Sequence, residues 1–165
     1  MPINMIPPEL PFEPNASPKE IFLQDFKIDL PISGHWGYSE ENAIIINDGV
    51  TKDEYFSSFP IFIEKRIYEE LIVFRGGWDK FSFINWEMLS QQLIKNDTNH
   101  YDYFVYNVTA LRDAAADFLQ QEFEAANSYS DDPEGLENHK AKRNSLTVSY
   151  EGHYWFKLPR SVLNA

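Results

Sequence analysis

The chain predicts a single α+β domain, a mostly antiparallel β-sheet with two or three packed helices. Three stretches carry that reading. Leu146–Leu158 alternates sides over thirteen positions, with Leu146, Val148, Tyr150, Gly152, Tyr154, Phe156 and Leu158 on one face. Period two is the mark of a strand with one buried side. Phe81–Ile94 and Tyr101–Thr109, either side of the polar "KNDTNH" at 95–100, read as a long hairpin. Leu111–Ala125 sets Leu111, Ala115, Phe118, Leu119 and Phe123 on one helical face.

The remaining elements follow in chain order. Residues 1–14 hold five of the ten prolines and read as an extended arm without regular structure, leaving 15–165 as the domain. Ser17, Pro18 and Glu20 form a capping box, so a short helix runs to about Phe26. Ile28–Pro31 and His35–Tyr38 read as extended. Ala43–Asn47 reads as a buried strand closed by the turn dipeptide Asp48-Gly49. Thr51 or Asp53 opens a helix that Pro60 is expected to interrupt. The spacing Ile63, Ile67, Leu71, Phe74 is helical, although "LIVF" could finish as a strand, and "RGGW" at 75–78 is a break. In the second hairpin strand both faces are apolar, which predicts a strand central to the sheet or covered on both sides. Residues 127–144 read as a polar loop with room for a short helix near Leu136.

Composition narrows the function classes. Hydrophobic residues make up 43% and aromatic residues 16% of 165 residues, enough for a packed core without covalent staples. With no cysteine, disulfides and thiolate metal sites are excluded. The N-terminal stretch lacks the basic and apolar regions of a signal peptide, and the aliphatic runs are too short to span a bilayer. A cytoplasmic protein is expected. The net charge is −12, and residues 9–54 alone carry ten acidic and three basic side chains. Such a surface repels nucleic acid and anionic membrane and attracts basic proteins.

Two short strings, "GHWG" at Gly34 and "GHYW" at Gly152, pose the question of a chemical site. Alternation puts His153 on the polar face with Glu151 and Trp155, and His35 opposite Trp36 and Tyr38, so both histidines are expected to look away from the main core. Ser149, Glu151 and His153 hold triad-like chemistry, but positions two apart on a strand lie about 6.6 Å apart, beyond hydrogen-bond reach. No nucleophile elbow, zinc-protease helix, P-loop or dinucleotide fingerprint occurs. His139 with Glu134 and Glu137 is the one local metal-like cluster, in an expected loop, and no metal or cofactor is expected. Three functions compete: a protein-binding module, a small hydrolase using His35 or His153 with a nearby carboxylate, and a sugar- or peptide-binding module using Trp36, Trp78, Trp86 and Trp155 as platforms. The binding face favoured is Glu151, His153 and Trp155 with His35 beside them, and Asp97, Asp102, Asp131 and Asp132 as electrostatic contacts.

The arm "MIPPELPFEP", the string "GHWGYSEENAIIIND" and the strand pair "NWEMLSQQLIKNDTNHYDYFVYNVTAL", in an acidic cysteine-free single domain, resemble the immunity proteins of bacterial contact-dependent growth inhibition systems. The resemblance implies a cytoplasmic protein with no chemistry of its own. It would bind a cognate toxin domain, a basic nuclease, before that toxin reaches nucleic acid. In some such pairs the toxin adds a hairpin to the immunity protein's sheet. No individual site residue is carried over from the family.

Overall fold

The computed structural model describes residues 1–74 and 80–163. Its six strands are β1 (Ile3–Asn4), β2 (Ile32–Gly34), β3 (Ile44–Ile46), β4 (Phe81–Asn96), β5 (Asn99–Arg112) and β6 (Val148–Lys157). Its helices are α1 (Pro18–Phe26), α2 (Lys52–Tyr68), α3 (Asp113–Ala125), α4 (Pro133–Leu146) and the short α5 (Arg160–Leu163). The strands form one sheet in the order β2-β3-β6-β5-β4, with β1 also on β6. The β2–β3, β4–β5 and β5–β6 pairs are antiparallel, and only the two-residue β1–β6 and β3–β6 pairings are parallel. The α+β class is therefore the observed one, with more helices than expected.

Alternation along β5 and β6 sorts the sheet into two faces. Phe104, Val108, Ala110, Val148, Tyr150, Tyr154 and Phe156 point into the main core. There α2 covers them: Phe62 meets Phe156 edge-on at 5.6 Å, and Phe59 stacks on Phe104 at 4.7 Å. α1 closes the layer through Phe22 against Phe62 and Trp36. On the opposite face, at one end, Leu111 joins Ala116 and Leu119 of α3 and Leu146 of α4 in a small second core.

Several elements depart from the sequence reading for identifiable reasons. Part of the proline-rich arm is a strand: Ile3 donates its N–H to the carbonyl of Thr147, just before β6, and Met5 to that of Ser149 on β6. α2 runs through Pro60, which is solvent-exposed, so the carbonyl it leaves without a helical donor is on the wet side of the helix. After Tyr68 the helix widens into a π turn, Glu69–Val73, rather than ending as a strand. The hairpin turn is two residues, Asp97-Thr98, because Asp97 adopts a positive φ of 49° and lets pairing continue to Asn96↔Asn99. α3 begins at Asp113, since Leu111 and Arg112 still pair with Ser82 and Phe81. The expected loop at 127–144 is largely the fourteen-residue α4, capped by Asp132 through the Gly135 N–H with Pro133 in the first turn. The string at His35–Tyr38 is not a strand: Gly34 and Gly37 both have φ of 87° and turn the chain out of the sheet. The break expected at residues 75–78 lies outside the described residues.

Candidate functional site

The two glycine-histidine strings do meet, through backbone and not through their imidazoles. Trp155 N–H donates to the Gly37 carbonyl at 2.9 Å. Arg66 Nη1 donates to the carbonyls of Trp36 at 3.1 Å and His153 at 2.8 Å. Arg66 is 1% exposed, its guanidinium sandwiched between the rings of Tyr38 at 4.2 Å and Tyr154 at 3.6 Å. One turn on, Glu70 lies 3.5 Å from its Nε and accepts from Tyr38 Oη at 2.6 Å and Tyr150 Oη at 3.0 Å. Burial opposes the charge of Arg66, but Tyr154, Glu70, Tyr38 and Tyr150 outweigh it and hold its pKa above the ordinary value. Burial above all raises the pKa of Tyr38, Tyr150 and Tyr154. This cluster fills the stretch of β6 edge between β1 and β3, where no strand pairs among the described residues. It is a structural clamp, and its centre, Arg66 and Glu70, is not among the candidate residues read from the sequence. The available signal was Arg66 and Glu70 lying one turn apart on the same helical face as Phe62, Ile63 and Ile67.

The histidines part company. His153 lies on the open face, its Nδ1 2.5 Å from the Tyr103 hydroxyl. Tyr103 stacks on Trp155 at 4.2 Å, with Tyr101 edge-on to the same indole at 6.1 Å. The register explains the group: Tyr103 pairs with Trp155, and Val105 with His153, on the face that α2 does not cover. Burial, and then the Glu151 carboxylate, push the Tyr103 hydroxyl up. Glu151 is exposed, and His153 and Trp155 are half-buried. His35 instead rests on Phe12 of the arm at 3.9 Å and lines a cavity with Leu10, Trp36 and Phe74. None of its described contacts reaches the Tyr103–Trp155 face, so it does not stand beside the other three.

The acidic residues divide in the same way. Asp97 is exposed at the hairpin tip, and Asp131 and Asp132 are exposed before α4. Asp102 is 8% exposed and is no surface contact: its parity matches Phe104, and it accepts from the Tyr55 hydroxyl and from Gln91 Nε2 at 3.3 Å. Nor is a triad assembled, because Ser149 Oγ donates to Asn107 Oδ1 at 2.8 Å. His139 sits on α4, not in a loop, against Phe123, Tyr129 and Glu122. Among the described residues no three His, Asp or Glu side chains are grouped to hold a metal. As for aromatic platforms, Trp36 is buried, Trp86 packs edge-on to Tyr68 at 5.9 Å, and Trp78 lies outside the described residues.

The outer edge of β4 is a surface feature that the sequence alone does not localise. It ends the sheet order, and nothing pairs with its outer side among the described residues. Over sixteen residues it carries two charges, Glu87 and Lys95, while Phe83, Met88, Leu89 and Leu93 are all exposed apolar side chains. Edges are normally blunted by charge, proline or shortness. This one has two register shifts, at Ser82/Asn85 and Met88/Ser90, and no proline.

The π turn buries a second carboxyl beside Glu70. Glu69 has a pKa pushed up to about 8, by burial first and then by the neighbouring Asp25 carboxyl. The folded value exceeds the unfolded value of about 4.5, so the fold favours the protonated form. Its contribution to stability is complete below about pH 4.5 and is lost as pH rises toward about 8. Replacing Glu69 by Gln removes this titration. The melting-temperature difference between E69Q and the parent is expected to grow in favour of E69Q across that window and level off above it. A difference independent of pH would refute the assignment.

Comparisons of the chain with protein-family models, with curated proteins and with solved structures find no match.

Proposed function

We propose that this protein is an immunity protein that acts by binding, neutralising a basic toxin domain, with a nuclease as the toxin class, in the cytoplasm and without turnover. One observation carries the reading: a sixteen-residue sheet edge, low in charge and lined with exposed apolar side chains, on a body of net charge −12. An open edge supplies main-chain donors and acceptors to an incoming strand, and the side chains flanking it supply anchors. Acidic charge speeds encounter with a partner basic enough to hold nucleic acid, and disfavours nucleic acid itself. The stacked Tyr103–Trp155 pair, half-buried on the face not covered by α2, adds rigid aromatic contact area of the kind that anchors interfaces.

The test is growth rescue followed by binding. Basic nuclease toxin domains, with any encoded in a neighbouring reading frame tried first, are each expressed with this chain, and a rescued pair is then purified and titrated at two salt concentrations. Rescue and a salt-sensitive complex are expected. Leu89 and Leu93 are 52% and 53% exposed, so the double variant Leu89→Lys, Leu93→Lys should change folding stability by only about 0.5 kcal/mol. It should weaken the complex about 100-fold, by placing positive charge where the basic partner docks. Turnover of a substrate by the purified chain, or full rescue by the double variant, would refute the proposal.

A further inference from the structure

A cavity of about 260 Å³ opens between the arm, α1 and the π turn. Its walls are apolar, with Leu10, Ile21, Trp36, Val73 and Phe74 among them. Among the described residues its ionisable groups are all carboxyls: Glu13 from the arm, Asp25 from α1 and Glu69 from the π turn, with no Lys, Arg or His beside them. Asp25 is exposed, while Glu69 is 4% exposed. Glu69 Oε1 is buried with no hydrogen-bond partner among the described residues. Below about pH 8 the Glu69 carboxyl holds a proton towards the Asp25 carboxyl, and a ligand bringing its own donors to both groups takes that proton's place. Largely apolar walls around three carboxyls, with Gln24 as the one neutral amide among the described lining residues, select a positively charged head on an apolar stem. Without three ligating groups in place, a bare metal ion is the poorer match.

We propose that this cavity is a binding site for an alkylguanidinium group, with Glu69 accepting its N–H donors and Asp25 supplying the second carboxylate. The planar fork of a guanidinium offers several donors to the carboxylates, and its weak hydration suits a site whose walls are largely apolar. In the empty cavity Glu69 keeps its proton to about pH 8. The arriving cation replaces that proton, which passes to solvent, so one proton is released for each cation bound. The site is independent of the β4 edge and stands whether or not that edge takes a partner.

Calorimetric titration of the full chain tests this with three probes: butylguanidinium, N-acetyl-arginine N-methylamide and the neutral butylurea. Affinity for a cationic probe is expected to rise about tenfold per pH unit below about pH 8 and to level off above it. Heats measured in buffers of different ionisation enthalpy should report the released proton. Glu69→Gln mimics the protonated acid and should stay folded, yet lose about tenfold or more in affinity at alkaline pH. Binding of the arginine amide identifies a protein side chain as the occupant; binding of butylguanidinium alone identifies a small metabolite. Absence of heat from both cations at alkaline pH, equal binding of butylurea, or undiminished affinity in E69Q would overturn the proposal.

Discussion

Replacing Arg66 by methionine is expected to lower stability by about 3–5 kcal/mol, the scale of a broken buried charge network. Methionine keeps the apolar stem and loses every donor. The Trp36 and His153 carbonyls then lose the guanidinium that satisfies them, and the Tyr38 and Tyr154 rings lose the cation between them. Lysine is expected to rescue little, because an ammonium has no planar face to lie between two rings. The check is the urea midpoint with its slope. A shift worth less than about 1 kcal/mol would show that the clamp is not what holds the β6 edge.

Gly37→Ala is the second large effect, expected to cost about 2–4 kcal/mol from left-handed backbone strain plus overpacking. Gly37 has φ of 87°, and a Cβ there would sit 2.2 Å from Ile44 Cδ1 and 3.2 Å from the Trp155 carbonyl. The same residue accepts the Trp155 N–H, so any backbone relaxation strains the link between the two glycine-histidine strings. Gly49, with φ of 88° and open space around it, is the control: Gly49→Ala carries the backbone strain alone and should cost about 1–2 kcal/mol. Thermal melts of the two variants separate strain from crowding. Equal losses would show that Ile44 yields at no cost.

Legibility in the sequence followed how local each signal was. The capping box at Ser17 announced α1, and its side chain does accept the Glu20 N–H at 3.4 Å. Strict alternation announced β6, and with it the open-face placement of Glu151, His153 and Trp155. α4 is longer than the short helix expected near Leu136, because it is polar along its length and has no apolar stripe to mark its ends. It is held by its Asp132 cap, and Lys142 reaches Glu122 on α3 at 2.8 Å. Asp102 reads from sequence as an electrostatic contact, because its buried partner Tyr55 lies forty-seven positions away and leaves no local signal.

By itself, then, the sequence determined the α+β class, the long hairpin and the two faces of β6, because periods of two and 3.6 residues are properties of neighbouring positions. Only the tertiary structure decided that Arg66 stands in for a missing strand between β1 and β3, and that β4 is the open edge. It also decided that Glu69 floors a cavity shared with the arm and α1. Each depends on which distant segments pack together, and loop reversals such as those at Gly34 and Gly37 set that without leaving a periodic trace.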